Sequence, residues 1–161
     1  MTTPQTEYLT NGDFEAPGTG PTTLTLIGSG DSAAPGWTTF NQVDGVTTTT
    51  ELVPSTLPDH SQMLHVTTTG VGCGLVQQYL PQGQGPTPAH LEVSVFVLSG
   101  RIGIGIGNGG DVSTTTFNTT QGQWENLVAD HFGTPAGEVV IYGEWGDGAS
   151  YYVGNASATG S

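Results

Sequence analysis

Lysine is absent from this 161-residue chain, and Arg101 stands alone against 14 Asp and Glu, for a formal charge of −13. Nothing is available to neutralise phosphates, which excludes nucleic acid as a partner. Attraction to an anionic membrane surface fails for the same reason. Neutral or cationic partners remain: sugars, other proteins or metal ions. The acidity also serves solubility on its own. Cysteine is nearly missing too, because Cys73 is the only one. An internal disulfide is therefore impossible, and the redox compartment goes unmarked. No apolar run reaches membrane-spanning length, so no membrane insertion is expected. Met1-Thr2-Thr3-Pro4 lacks both the basic and the apolar segments of a signal peptide.

Helical periodicity is lacking as well. Thr120 to Asp130 is the one candidate, and it contains Gly122 and no sustained apolar stripe. What is present is Thr, Ser, Gly, Asn and Gln around short β-rich runs with Gly/Pro/Asn/Asp punctuation. The spacing predicts strands over Thr22–Ile27, Gly36–Gln42, Val46–Val53, Gln62–Thr69, Gly74–Leu80 and Leu91–Ser99. Further strands are predicted over Arg101–Gly107, Val112–Asn118, Glu125–His131, Glu138–Trp145 and Tyr151–Thr159. Many short strands with turn signals imply an all-β fold: an antiparallel β-sandwich or jelly roll. The length suits a single domain over residues 1–161, with its core at about 8–159.

Arg101 to Gly110 reads RIGIGIGNGG and contains a literal G-x-G-x-x-G from Gly105. A dinucleotide fingerprint needs a helix next, whose N-terminus receives the pyrophosphate. Here Asp111-Val112-Ser113-Thr114-Thr115-Thr116-Phe117 comes next, too β-branched to start one. The nucleotide reading is rejected. At period 2, Ile102, Ile104 and Ile106 share one face and Gly103, Gly105 and Gly107 the other. The isoleucine face belongs to the core. The bare face implies a close approach, either by the second sheet or a loop, or by a ligand in a groove.

The ordered segments LTNGDFEAPG, APGWTTF, SQMLHVTTTG, GLVQQYL, HLEVSVFVLSG, QGQWENLVADHF, EVVIYGEW and YYVGNASATG cover Tyr8 to Thr159. In order and spacing the chain resembles carbohydrate-binding modules of the family 4/9/22 type, within the galactose-binding-like jelly rolls. The resemblance implies packed roles for Trp37 and Trp124, and an inner, backbone-bonded amide at Gln78. It also implies a structural calcium near the chain ends. Its pieces would be Glu15 and an Asp of the last strand, but Gly154 stands where the family more often has that Asp. Asn155 or backbone carbonyls are left to substitute for the lost oxygen.

Sugar recognition stacks aromatic faces on pyranose C–H surfaces, with amides, carboxylates and Arg bonding to hydroxyls. The candidates are Trp145, in an Asp-Gly turn region, Tyr142 with Glu144, Tyr79 with Gln77, one of Tyr151 or Tyr152 with Tyr151 preferred, and Arg101. Catalytic signals are thin. His60, His65, His90 and His131 have no metal-ligand spacing. No nucleophile motif is present, and Cys73 has no basic neighbour. The expectation is a non-catalytic module binding oligo- or polysaccharide, extracellular or particle-associated. Two alternatives stay open: a protein-interaction or assembly module of a virion or secreted particle, with a protein partner or homo-oligomer, and a glycan-active hydrolase or lyase.

Overall fold

The computed structural model describes residues 6–16, 21–79, 89–108, 111–132, 137–144 and 147–160. These form thirteen strands: β1 (Thr6–Glu7), β2 (Thr22–Leu24), β3 (Gly28–Ala34), β4 (Trp37–Asn41), β5 (Thr48–Pro54), β6 (Gln62–Thr68), β7 (Cys73–Gln78), β8 (Ala89–Ser99), β9 (Ile102–Asn108), β10 (Asp111–Phe117), β11 (Trp124–His131), β12 (Glu138–Gly143) and β13 (Ala149–Gly160). No helix occurs among the described residues. All pairings are antiparallel. One sheet runs β11-β8-β13-β6-β5-β2, with β1 added to the far end of β13. The other runs β10-β9-β12-β7-β4-β3.

The alternating sequences explain why the two sheets close on each other. Leu91, Val93, Val95 and Val97 of β8 are fully buried, as are Ile102, Ile104 and Ile106 of β9. Each such side chain contributes about 1.5–3 kcal/mol on leaving water. Trp37 completes the core: its ring stacks on Phe14 at 5.3 Å, and its Nε1 donates to the Asn11 carbonyl at 3.1 Å. Gly100, at φ 84°, sits where the chain leaves β8 in one sheet for β9 in the other.

Two strands lie outside the sequence expectation. β1 is two residues long, and β3 reads GSGDSAA, with no apolar alternation to announce it. β3 is an edge strand whose pairing with β4 slips between Ser29, Ser32 and Ala34. The literal G-x-G-x-x-G leads into a strand and not into a helix. β9 pairs antiparallel with β10, with Asn108 opposite Asp111, so no helix N-terminus stands ready for a pyrophosphate.

The packed role expected for Trp124 is corrected. Leu127 and Ala129 of β11 point inward, and residue parity turns Trp124 out. It lies partly buried on the outer face of the seven-stranded sheet, edge-on to Phe96 at 5.7 Å.

Candidate functional site

Neighbouring strands of the six-stranded sheet present their outer residues around one groove. In β12 (EVVIYG), Val139 and Ile141 enter the core, leaving Glu138, Val140 and Tyr142 outside. The glycines of β9 lie outside its isoleucines. In β7, Leu75 goes in and Gly74, Val76 and Gln78 go out; in β4, Trp37, Thr39 and Asn41 go in and Thr38 and Phe40 go out.

Register then aligns these positions across the sheet. One row runs Phe117, Gly103, Tyr142, Gly74, Phe40. The next runs Thr115, Gly105, Val140, Val76, Thr38. A third runs Gly107, Glu138, Gln78. The groove has a volume of about 830 Å³, and its lining includes Phe40, Val76, Gln78, Glu138, Val140 and Tyr142. That lies in the upper part of the roughly 300–1,000 Å³ spanned by small-molecule sites.

Aromatic and glycine positions alternate along the first row for a steric reason. The rings of Tyr142 and Phe117 lean over Gly103 from both sides, at 6.4 Å and 79° to each other. A Cβ on Gly103 would come within 2.8 Å of Tyr142 Cζ and 2.9 Å of Phe117 Cε1. The bare stripe of β9 therefore lies on the outer face of the sheet that carries the groove, and at Gly103 the close approach comes from its own aromatic neighbours. Burial raises the Tyr142 phenol above its ordinary pKa, and Glu144 adds to this, against a Thr115 hydrogen bond and Arg101. The hydroxyl thus stays a neutral donor and acceptor.

Arg101 and Glu144 meet beside Phe117. The guanidinium lies 4.0 Å above the Phe117 ring centre, and its Nε is 3.9 Å from a Glu144 oxygen. The cation–π contact and the carboxylate occupy only part of the guanidinium, which has five N–H donors.

Other candidates sit elsewhere. Tyr151 is fully buried in the core, its hydroxyl donating to the Ile141 carbonyl at 3.3 Å, so it touches no surface ligand. Tyr79 is half-buried against the core, 5.5 Å from the Tyr8 ring, and burial pushes its phenol up to about 12. It does not line the groove. Gln77 faces inward at the groove's edge, where its amide accepts from Thr10 N–H at 2.7 Å and donates to Thr10 C=O at 3.0 Å. Gln77 thus fills the backbone-bonded role expected of Gln78, and Gln78 lines the groove. Trp145 lies outside the described residues. Phe40, Gln78 and Glu138 were missed as groove residues; counting parity from Leu75 and Val139 would have found Gln78 and Glu138.

Among the described residues no group of three or more His, Cys, Asp or Glu gathers as a metal site. Glu15 accepts from the Ser61 amide at 2.8 Å and from its hydroxyl, and Asn155 pairs with Ser94 in the β13–β8 ladder.

The sequence matches no protein-family model and no curated protein. Solved structures do match. TmCBM61, in complex with β-1,4-galactotriose, aligns with a TM-score of 0.59 and 16% identity, over 95% of this chain and 97% of that one. The family 11 carbohydrate-binding module of Clostridium thermocellum Lic26A-Cel5E aligns at 0.57 and 13% identity, over 84% and 96%. The C. thermocellum xylanase 10B chain, with CBM22-1 and GH10 modules and xylohexaose bound, aligns at 0.56 and 13% identity. There the alignment spans 85% of this chain but 28% of the xylanase chain. The shared fold is the antiparallel jelly-roll sandwich of carbohydrate-binding modules.

Proposed function

We propose that the protein binds a neutral oligo- or polysaccharide, without catalysis, in the groove on the outer face of its six-stranded sheet. The observation that carries this reading is the row Phe117, Gly103, Tyr142, Gly74, Phe40. It puts aromatic C–H partners along a groove whose walls offer amides, hydroxyls and a carboxylate. A sugar presents the same mixture: apolar ring faces and a hydroxyl at almost every carbon. The ligands in two structural neighbours, xylohexaose and β-1,4-galactotriose, are of this kind.

The carboxylates of this face argue for binding rather than hydrolysis. Glu138 and Glu144 stand six positions apart along one extended segment, about 20 Å. Glycosidase pairs need roughly 5–9.5 Å. Glu138 is the sole carboxylate among the described residues that line the groove. A polysaccharide target also implies a site of action outside the cell or on a particle. No described helix is long and apolar enough to cross a membrane.

Calorimetry and affinity electrophoresis against a panel of neutral β-linked polysaccharides test the proposal. Tyr142→Ala is expected to weaken binding at least about tenfold, as the loss of a stacking and hydrogen-bonding side chain predicts. Its unfolding midpoint should stay near wild type, because Tyr142 faces outward. Absence of binding to every neutral polysaccharide, or binding that Tyr142→Ala leaves intact, overturns the reading.

A further inference from the structure

The loop of residues 11–16 and the loop between β5 and β6 meet at the place where the resemblance puts a calcium. Calcium collects six to eight oxygens, all as acceptors. Here the oxygens already face hydrogen donors. Glu15 takes the amide and hydroxyl of Ser61, with His60 Nδ1 at 3.7 Å. Gln62 Nε2 donates to two backbone carbonyls at once, Phe14 at 2.5 Å and Ala16 at 2.8 Å. Asn11 Oδ1 accepts from the Ala16 amide at 3.0 Å, and Asp13 Oδ1 from the Glu15 amide at 3.2 Å. Carboxylate, side-chain amide and main-chain oxygens, the full range a hard cation wants, are each met by N–H or O–H.

The last strand is closed to the cation as well. A Cβ on Gly154 would overlap Leu57 Cδ1 and lie 2.9 Å from Trp124 Cη2. Trp124 is pinned there by its Nε1, which donates to Thr56 Oγ1 at 3.1 Å. An Asp at 154 would have to displace Leu57 and the pinned Trp124 ring from that position. The donor set does not fit calcium.

We infer that Ser61 and Gln62 replace the family's calcium: their side chains and the Ser61 amide clasp the 11–16 loop to β6, and the fold is calcium-independent. The clasp also fixes an unusual backbone. Asn11 and Phe14 have φ of 52° and 57°, a region costly for a bulky side chain. Phe14 is nevertheless fully buried against Trp37. One hydrogen bond of Gln62 sits directly on the Phe14 carbonyl and the other on Ala16 two residues on, and together they hold that conformation.

Thermal unfolding of the purified chain, in excess calcium chloride and in EDTA, is the primary test. The expected result is one midpoint in both buffers. Gln62→Leu should lower it equally in both, by roughly 4–8 °C for two lost hydrogen bonds in a domain of this size. Gln62→Glu puts acceptor oxygens against the Phe14 and Ala16 carbonyls and should unfold earlier in EDTA, with calcium restoring it. A wild-type midpoint that rises with calcium, or calorimetric calcium binding to wild type, overturns the inference. So does a Gln62→Leu chain as stable as wild type.

Discussion

Gly103 shows how much one missing side chain decides. With hydrogen in place of Cβ, two aromatic rings from flanking strands lean together over β9, and one of them, Tyr142, lines the groove. Gly103→Val would push both rings away, and these are side-chain ends that can swing. The expected cost therefore falls on ligand affinity rather than on the fold. Titration against a polysaccharide that wild type binds should show a loss comparable to Tyr142→Ala, with the unfolding midpoint changed by only a few degrees. A large loss of stability with unchanged affinity would contradict this role for the glycine. Arg101 is a residue whose partners could not be read locally. Its contact with Phe117 depends on the β9–β10 register, which brings together side chains 16 positions apart in sequence.

Strands whose alternation is clean were legible. In HLEVSVFVL, every second residue from Leu91 enters the core, and EVVIYG behaves the same way. Parity failed where the ladder itself breaks. β13 shifts register against β8 between Ser150 and Tyr151 and again between Val153 and Asn155, and its buried positions change parity there, from Tyr151 and Val153 to Ala156 and Ala158. β3 was invisible because an irregular edge strand needs no apolar face. The β8–β11 ladder carries a pH signature of its own. His90 Nδ1 sits 2.5 Å from Asp130 and its Nε2 3.6 Å from Glu92. The Asp130 hydrogen bond, outweighing partial burial and helped by both carboxylates, raises the His90 pKa above its ordinary value. A raised histidine contributes stability that is complete below its unfolded pKa and lost as pH rises through the folded one. Denaturant midpoints should thus fall as pH rises from below the ordinary histidine value to above it, and Asp130→Asn should flatten that fall. Identical pH profiles for the two proteins would show that His90 does not cause the fall. Because the pair is exposed, the effect should be small.

At the scale of the whole molecule the two sheets divide the labour. The six-stranded sheet offers its outer face as a groove, while the seven-stranded sheet carries both described chain ends, Thr6 paired to Gly160 and Glu7 to Thr159. Fold class was readable from composition and punctuation, because a chain this poor in helix formers and rich in turns has few other ways to bury its valines and isoleucines. The groove was only half readable: its residues lie on five strands, and registers between strands distant in sequence bring them into rows.

The pairing of the two ends has a mechanical consequence. Force applied through both ends of the described chain meets Thr6 and Gly160 first and separates the strands one hydrogen-bonded pair at a time. Strands loaded this way peel, rather than slide past one another with all their bonds resisting together. Stretched between anchors at its two ends, the molecule should yield at low force, beginning with β1 and the end of β13, while strands of the six-stranded sheet still hold the groove. Single-molecule pulling would detect this as early, stepwise lengthening before the main rupture; a single high-force event would contradict it.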